Sequence, residues 1–241
     1  VRRLNNSGIH GQRRFRRCMK VAVLASGGKD STYASWWTLM QGWSLEAMIT
    51  VKITGDDSMM FQLQNTEIAE FQAKSIGVKW IKVNSSGIEN DEIHDLEDEI
   101  RKYEGDLDAI VVGALRSDYQ KTRIERMCER LNLISFCPLW HHSPSEHMRS
   151  LIEHGFDVRI VSVSSDGLDE NWLGKKITKE SLDELSFLSK KFRFNLDGEG
   201  GEFETITLDA PHFKKAIICE GEKNWNGVRG VWNLTKIELS P

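Results

Sequence analysis

Cysteine and proline are scarce in this chain of 241 residues, with 4 of each. Cys18, Cys128, Cys137 and Cys219 are scattered without a C-x-x-C pair, so neither a disulfide framework nor a thiolate metal or iron–sulfur site is signalled. A reducing cytoplasm fits that usage. Long apolar runs are also missing: the stretches 21–25 and 109–112 fall far short of the roughly 20 residues needed to cross a bilayer, so no membrane span is expected. Glycine is no more than average, which rules out collagen-like and low-complexity chains. What remains, at 39% hydrophobic and 28% charged, is the composition of an ordinary globular protein of one large or two small domains.

The formal net charge of -4 conceals an asymmetry. Residues 1–18 hold six arginines and no acid, which leaves 26 bases against 36 acids over residues 19–241. The leader lacks the apolar centre of a secretory signal and the stripe of a transit peptide. Met19, directly ahead of the first strand-like run, reads as a natural start, so residues 1–18 read as a disordered basic extension or a misplaced start, with a nucleic-acid or ribosome-binding arm as the alternative.

From Met19 onward, strand patterns at 20–25, 45–53, 80–83, 109–113 and 157–163 alternate with helix patterns at 32–41, 66–75, 89–103, 118–131 and 146–154. This alternation predicts an α/β fold, a parallel sheet wrapped by helices. Gly42, Gly77, Gly105 and Gly155 follow four of the helices, where a left-handed closing residue is wanted. In such sheets ligands bind at the carboxyl ends of the strands, so the loops after Ala25, Ile53 and Gly113 are the places to look. Beyond residue 163 the pattern weakens to a helix at 179–190 and β-type runs at 205–208, 216–219 and 231–239. The expected layout is a nucleotide-binding domain over 19–131 and a smaller α+β substrate domain over 132–241.

The run 20–25 leads into Ser26-Gly27-Gly28-Lys29-Asp30-Ser31 and then a helix. Two glycines and two hydroxyls at a strand-to-helix turn make an anion cradle: glycine lets the backbone approach phosphate oxygens, the helix N-terminus faces the anion, and Lys29 adds charge. Asp30 would repel a phosphate unless it caps backbone N–H groups or holds Mg²⁺. The spacing is neither that of a Walker A loop nor that of a dinucleotide fold. It resembles the S-G-G-x-D-S signature of the PP-loop ATP pyrophosphatases, and that resemblance implies a grip on the β and γ phosphates of ATP while an acceptor oxygen attacks the α phosphorus.

Two further segments stand out. In the first, running from Gly113 through Ser117 to Arg123, Ile124, Met127, Cys128 and Leu131 form the core stripe, while Tyr119 and Arg123 share another face near the strand ends. Arg126 and Arg130 continue that face outward and read as solvated or paired with acids. The second, Asp197-Gly198-Glu199-Gly200-Gly201-Glu202-Phe203-Glu204-Thr205, crowds four acids into a glycine-rich turn before a strand. It reads either as an acidic surface turn or as carboxylates presented to a cation.

With Pro138-Leu139-Trp140, Gly167-Leu168-Asp169-Glu170-Asn171-Trp172-Leu173-Gly174 and Leu208-Asp209-Ala210-Pro211, these segments occur in the order found in the diphthine ammonia ligase family, which the chain resembles from about Met19 to at least Lys215. The resemblance implies ATP-dependent amidation of the diphthine carboxylate on translation elongation factor 2, with ATP and Mg²⁺ as cofactors and ammonia or ammonium as co-substrate. It carries Ser26, Gly27, Gly28, Lys29, Asp30 and Ser31 over as the ATP loop, with Lys29 and Asp30 catalytic and Asp30 the metal residue. Ser117, Tyr119 and Arg123 become a second nucleotide or substrate segment. Glu199, Gly200, Gly201, Glu202, Glu204 and Thr205 become the substrate and ammonia side, with Glu202 the candidate to bind ammonium and take its proton. Phe203 and Trp140 are candidates to face the trimethylammonium of diphthine. The chain departs from the family pattern at His141-His142-Ser143, where relatives carry Gly-Arg-Asp, at Lys175 and at Asp197.

His141, His142, His147 and His154 lack a recognised zinc spacing and read as loop or helix-surface residues. Two competing readings are a tRNA-modifying PP-loop ligase and an ATP-binding module without turnover. The acidic body and the absence of C-x-x-C argue against the first and against a nucleic-acid partner. The pairing of the ATP loop with the acid segment argues against the second.

Overall fold

The computed structural model describes residues 18–53, 66–86 and 91–241. The expected extension before Cys18 and the loop after Ile53 lie outside the described residues. The first half runs β1 (Lys20–Leu24), α1 (Lys29–Met40), β2 (Ser44–Ile53), α2 (Ile68–Ile76), β3 (Lys79–Ser85), α3 (Asp91–Arg101), β4 (Ala109–Val112), α4 (Asp118–Leu131) and β5 (Ile134–Phe136). Its five strands pair in parallel in the order β3-β2-β1-β4-β5. The expected parallel sheet wrapped by helices is therefore present.

The central strand shows why. In β1 successive side chains point to opposite faces, and both faces are buried. Val21, Val23 and Ala25 join Ala34 of α1 and Ala69 and Ala73 of α2 in one core, while Ala22 and Leu24 join Ile93 and Leu96 of α3 and Ile124 and Met127 of α4 in another. A strand covered on both sides reads as an unbroken apolar run. Across α3 and α4, Arg130 donates two hydrogen bonds to the buried Glu97, so the expected pairing of Arg130 with an acid holds.

The second half runs α5 (Pro144–Glu153), β6 (Asp157–Val163), a short 3-10 turn (Glu170–Trp172), α6 (Lys179–Phe192), β7 (Phe203–Asp209), β8 (Ile217–Trp225) and β9 (Gly230–Leu239). Its strands form an antiparallel sheet in the order β7-β6-β9-β8. Helices α1 and α2 lie between the two sheets, since Tyr33, Trp36, Ile68 and Phe71 pack with Val158, Ile160 and Ile206 of the second sheet.

Three expectations are corrected. Helix α1 starts at Lys29 rather than at residue 32, which puts Lys29, Asp30 and Ser31 in its first turn. The first sheet continues past Asn132, because the unforeseen three-residue strand β5 pairs with β4. Gly42, Gly77 and Gly155 have φ of 72°, 89° and 79°, as a helix-closing residue should, but Gly105 is not left-handed because α3 has already ended at Arg101. Asn132 and Arg193 close α4 and α6 in the left-handed region instead.

Candidate active site

Strand order reverses between β1 and β4, and the connections from these neighbours leave toward opposite faces, which opens a crevice at their carboxyl ends. The loop 26–31 sits there. Gly27 takes φ +88°, and a Cβ on it would lie 2.1 Å from Cγ2 of Ile68, so only glycine fits. Its carbonyl accepts from Thr207 N–H at 3.0 Å and from Gln72 Nε2 at 2.9 Å. No side chain of the loop caps α1; Thr205 Oγ1 of β7 accepts from the backbone N–H of Lys29 at 3.2 Å. Gly113 is the second glycine that the geometry requires, since a Cβ there would stand 2.6 Å from the carbonyl carbon of Asp30.

A cavity of about 450 Å³ opens over this loop. Ser26, Gly28, Lys29, Asp30 and Ser31 form its floor, Leu24, Ile49, Val51, Val112 and Ile124 its apolar side, and Gly198 to Gly201 with Phe203, Glu204 and Thr205 its far wall. Lys29 is buried, and its Nζ donates to Asp30 Oδ2 at 2.8 Å. Burial raises the Asp30 carboxyl, but the Lys29 ammonium and a hydrogen bond from His147 outweigh this and hold it below the usual carboxylate range. The floor thus combines a fixed ammonium, an ionised acid and a helix N-terminus.

The third segment divides. Glu199 faces the cavity and accepts from the backbone N–H of Arg116 at 3.0 Å. Burial pushes its carboxyl up, the Arg116 N–H opposes the shift, and the Asp30 charge adds to it. Glu204 and Thr205 line the cavity too. Glu202 does not. Its Oε1 accepts from the backbone and side chain of Asn195 at 2.8 and 2.7 Å, and its Oε2 from Gly200 N–H at 2.8 Å, so it braces the turn that carries Glu199.

In the second segment Ser117 caps α4, accepting from Gln120 N–H at 3.3 Å. Tyr119 and Arg123 do share a face, with the guanidinium carbon 3.4 Å from the ring centre, but Gln120 and Ile124 are the α4 residues that line the cavity. Of the two candidate aromatics, Phe203 lines it, whereas Trp140 packs under the Lys121 ammonium, 5.2 Å from its ring centre. His141 adopts φ +58°, a conformation that an L side chain takes only at some cost.

Two residues escaped sequence reasoning. Arg116 is one: its Nη2 donates to both oxygens of Asp197 at 2.7 and 2.8 Å, and Asp197 is wholly buried, so this pair ties the second segment to the third. His147 is the other. Expected at the surface, it is buried on α5 with Nε2 2.7 Å from Asp30 Oδ1. A signal existed for it, since His147, Met148 and Leu151 share the buried face of α5.

A strand-to-helix glycine loop at the strand-order reversal, roofed by an acid-bearing turn from a second sheet, defines the class as an α/β protein of the PP-loop ATP-binding type. Residues 19–135 match the diphthamide synthase N-terminal domain, and residues 143–239 match the diphthamide synthase C-terminal domain. A rat protein named diphthine–ammonia ligase is 33% identical over 84% of this chain and 83% of its own length, and its human counterpart is 33% identical over 85% and 84%. The yeast protein of that name is 33% identical over 83% of this chain and 34% of its own greater length. The chain belongs to the diphthamide synthase family.

Proposed function

We propose that this chain uses ATP to activate the carboxylate of diphthine on translation elongation factor 2 and then amidates it with ammonia, releasing AMP and pyrophosphate. The supporting observation is the closure of one cavity by the phosphate-type loop and the acid turn, joined through Lys29 N–H to Thr205 and Arg116 N–H to Glu199.

The apolar side at Leu24, Ile49, Val51, Val112 and Ile124 suits an adenine ring, and the loop suits the phosphates. A carboxylate cannot expel oxide, so its oxygen attacks the α phosphorus and pyrophosphate leaves. Lys29 meets the charge that develops on the leaving group. No group of three or more His, Cys, Asp or Glu side chains gathers as a metal cage among the described residues, so Mg²⁺ would be held chiefly by phosphate oxygens with Asp30 as protein ligand, a usual mode for this ion. When bound it would supply further neutralisation of the departing pyrophosphate.

The second step needs neutral ammonia. Glu199 rather than Glu202 would take a proton from ammonium, a role supported by its place in the cavity lining and by burial, which favours its protonated form. Ammonia then attacks the acyl carbon and AMP leaves. Among the described residues no helix is long and apolar enough to cross a membrane. The four unpaired cysteines support a reducing, cytoplasmic setting.

Incubating the purified protein with labelled ATP, ammonium and diphthine-bearing elongation factor 2 tests this reading. AMP and an amide should form only when all are present. Turnover that depends on tRNA, or ATP binding with no turnover, would overturn it.

A further inference from the structure

We propose that His147 is a positioning residue for the nucleotide loop, acting on Lys29 through Asp30; the inference rests on reading that loop as the ATP site. His147 lies in the segment that matches the C-terminal family domain, whereas Asp30 and Lys29 lie in the segment that matches the N-terminal one. The imidazole is 2% exposed, and its hydrogen bond runs to Asp30 Oδ1 at 2.7 Å. The other oxygen of Asp30 accepts from Lys29 Nζ at 2.8 Å, and Lys29 is itself 5% exposed on the cavity floor. One acid thus spans two donors from different halves of the protein.

The chemistry of the ring follows. An ionised carboxylate only accepts, so Nε2 of His147 carries the proton. Nδ1 is buried without a hydrogen-bond partner among the described residues, and the ring makes an edge-to-face contact with the Tyr33 ring, 5.3 Å between centres. A bare nitrogen acceptor there costs less than an unpaired N–H would, which keeps the proton on the Asp30 side.

Held by donors on both oxygens, Asp30 keeps one orientation on the cavity floor and holds Lys29 Nζ at a set point. Without His147, Oδ1 would lose its buried donor, and the carboxylate would be free to rotate and carry the lysine with it. The neighbours Met148 and Leu151 show that an apolar residue would pack at this helix face, so packing alone does not call for histidine.

The test compares His147→Leu, which removes the donor, with His147→Gln, whose amide nitrogen reaches the Nε2 position, and His147→Asn, which reaches only the Nδ1 position. Leu151→Ala on the same helix controls for lost stability. Direct ATP binding by calorimetry should weaken by about tenfold to a hundredfold in His147→Leu, the range for losing a hydrogen bond to a charged group. The KM for ATP should rise with it, while the KM for ammonium stays unchanged. His147→Gln should recover most of the loss and His147→Asn little. Leu151→Ala should lower the melting temperature without this kinetic pattern. Should His147→Leu not fold, the order of Gln above Asn carries the test. Wild-type affinity and turnover in His147→Leu overturn the inference, as does a Gln variant no better than Asn. If the wild-type protein does not bind ATP, or Lys29→Ala binds it equally well, the reading of the loop fails instead.

Discussion

Replacing Gly27 by alanine tests whether the shape of the loop is imposed by its surroundings. An alanine at φ +88° carries about 1–2 kcal/mol of left-handed strain. Its Cβ would also lie 2.1 Å from Ile68 Cγ2, a contact that cannot exist without movement. The loop cannot retreat freely, because the Gly27 carbonyl is held by Thr207 N–H and Gln72 Nε2. Overpacking at such a site costs about 1–3 kcal/mol, and the stiffer unfolded chain returns about 0.4–1 kcal/mol. The net expectation is a loss of about 1–4.5 kcal/mol in urea unfolding, together with weakened ATP binding. Ile68→Ala separates the two terms. Alone it should cost about 2–5 kcal/mol as a core truncation. In the double variant the added Cβ would meet the Ala69 backbone nitrogen at 3.5 Å and the Ile68 Cβ position at 3.6 Å, both ordinary contacts. The double variant should therefore be more stable than the sum of the single losses by about 1–3 kcal/mol, with the backbone strain remaining. Additivity within about 0.5 kcal/mol, or wild-type stability in Gly27→Ala, would refute the steric argument.

Other outcomes follow from the same geometry. Arg116→Leu leaves the wholly buried Asp197 without its partner and should cost about 3–5 kcal/mol by chemical denaturation, most of it recovered in Arg116→Leu with Asp197→Leu. Burial lowers His212 to about 4 from its ordinary 6.5, and Ser35, which donates to the Thr32 carbonyl, is left to accept from His212 Nε2. Because the unfolded chain binds that proton first, stability is complete above pH 6.5 and falls as pH drops toward 4, by up to about 3 kcal/mol. His212→Gln should flatten the urea-unfolding profile across that window, and an unchanged profile would remove His212 as its cause. Glu199→Gln should slow amide formation by about 10²–10⁴ while sparing ATP binding. Glu202→Gln should instead lower stability by about 0.5–1.5 kcal/mol, since an amide N–H would face the exposed Gly200 N–H; the reverse assignment in single-turnover assays would restore Glu202 as the proton acceptor.

What the sequence determined by itself is the part written in contiguous residues. The run of buried apolar residues in β1, the glycine turn after it and the existence of a helix beyond it are local chemistry, legible because strand burial and turn residues depend on neighbours in the chain; the helix start at Lys29, three residues earlier than expected, was not. The same holds for α4 and β6, whose observed limits are those expected from periodicity. The glycine-rich acid turn was legible as a unit for the same reason. Which of its acids faces the cavity was not: Glu199 and Glu202 are three residues apart on one turn, and their directions are set by Arg116 N–H on one side and Asn195 and Gly200 on the other. Only the tertiary structure placed Arg116 against Asp197, 81 residues away, and His147 against Asp30, 117 residues away. The polar termini of such side chains have no period of their own. Their partners are chosen by burial, because a carboxylate removed from water must find a donor wherever the fold brings one within reach.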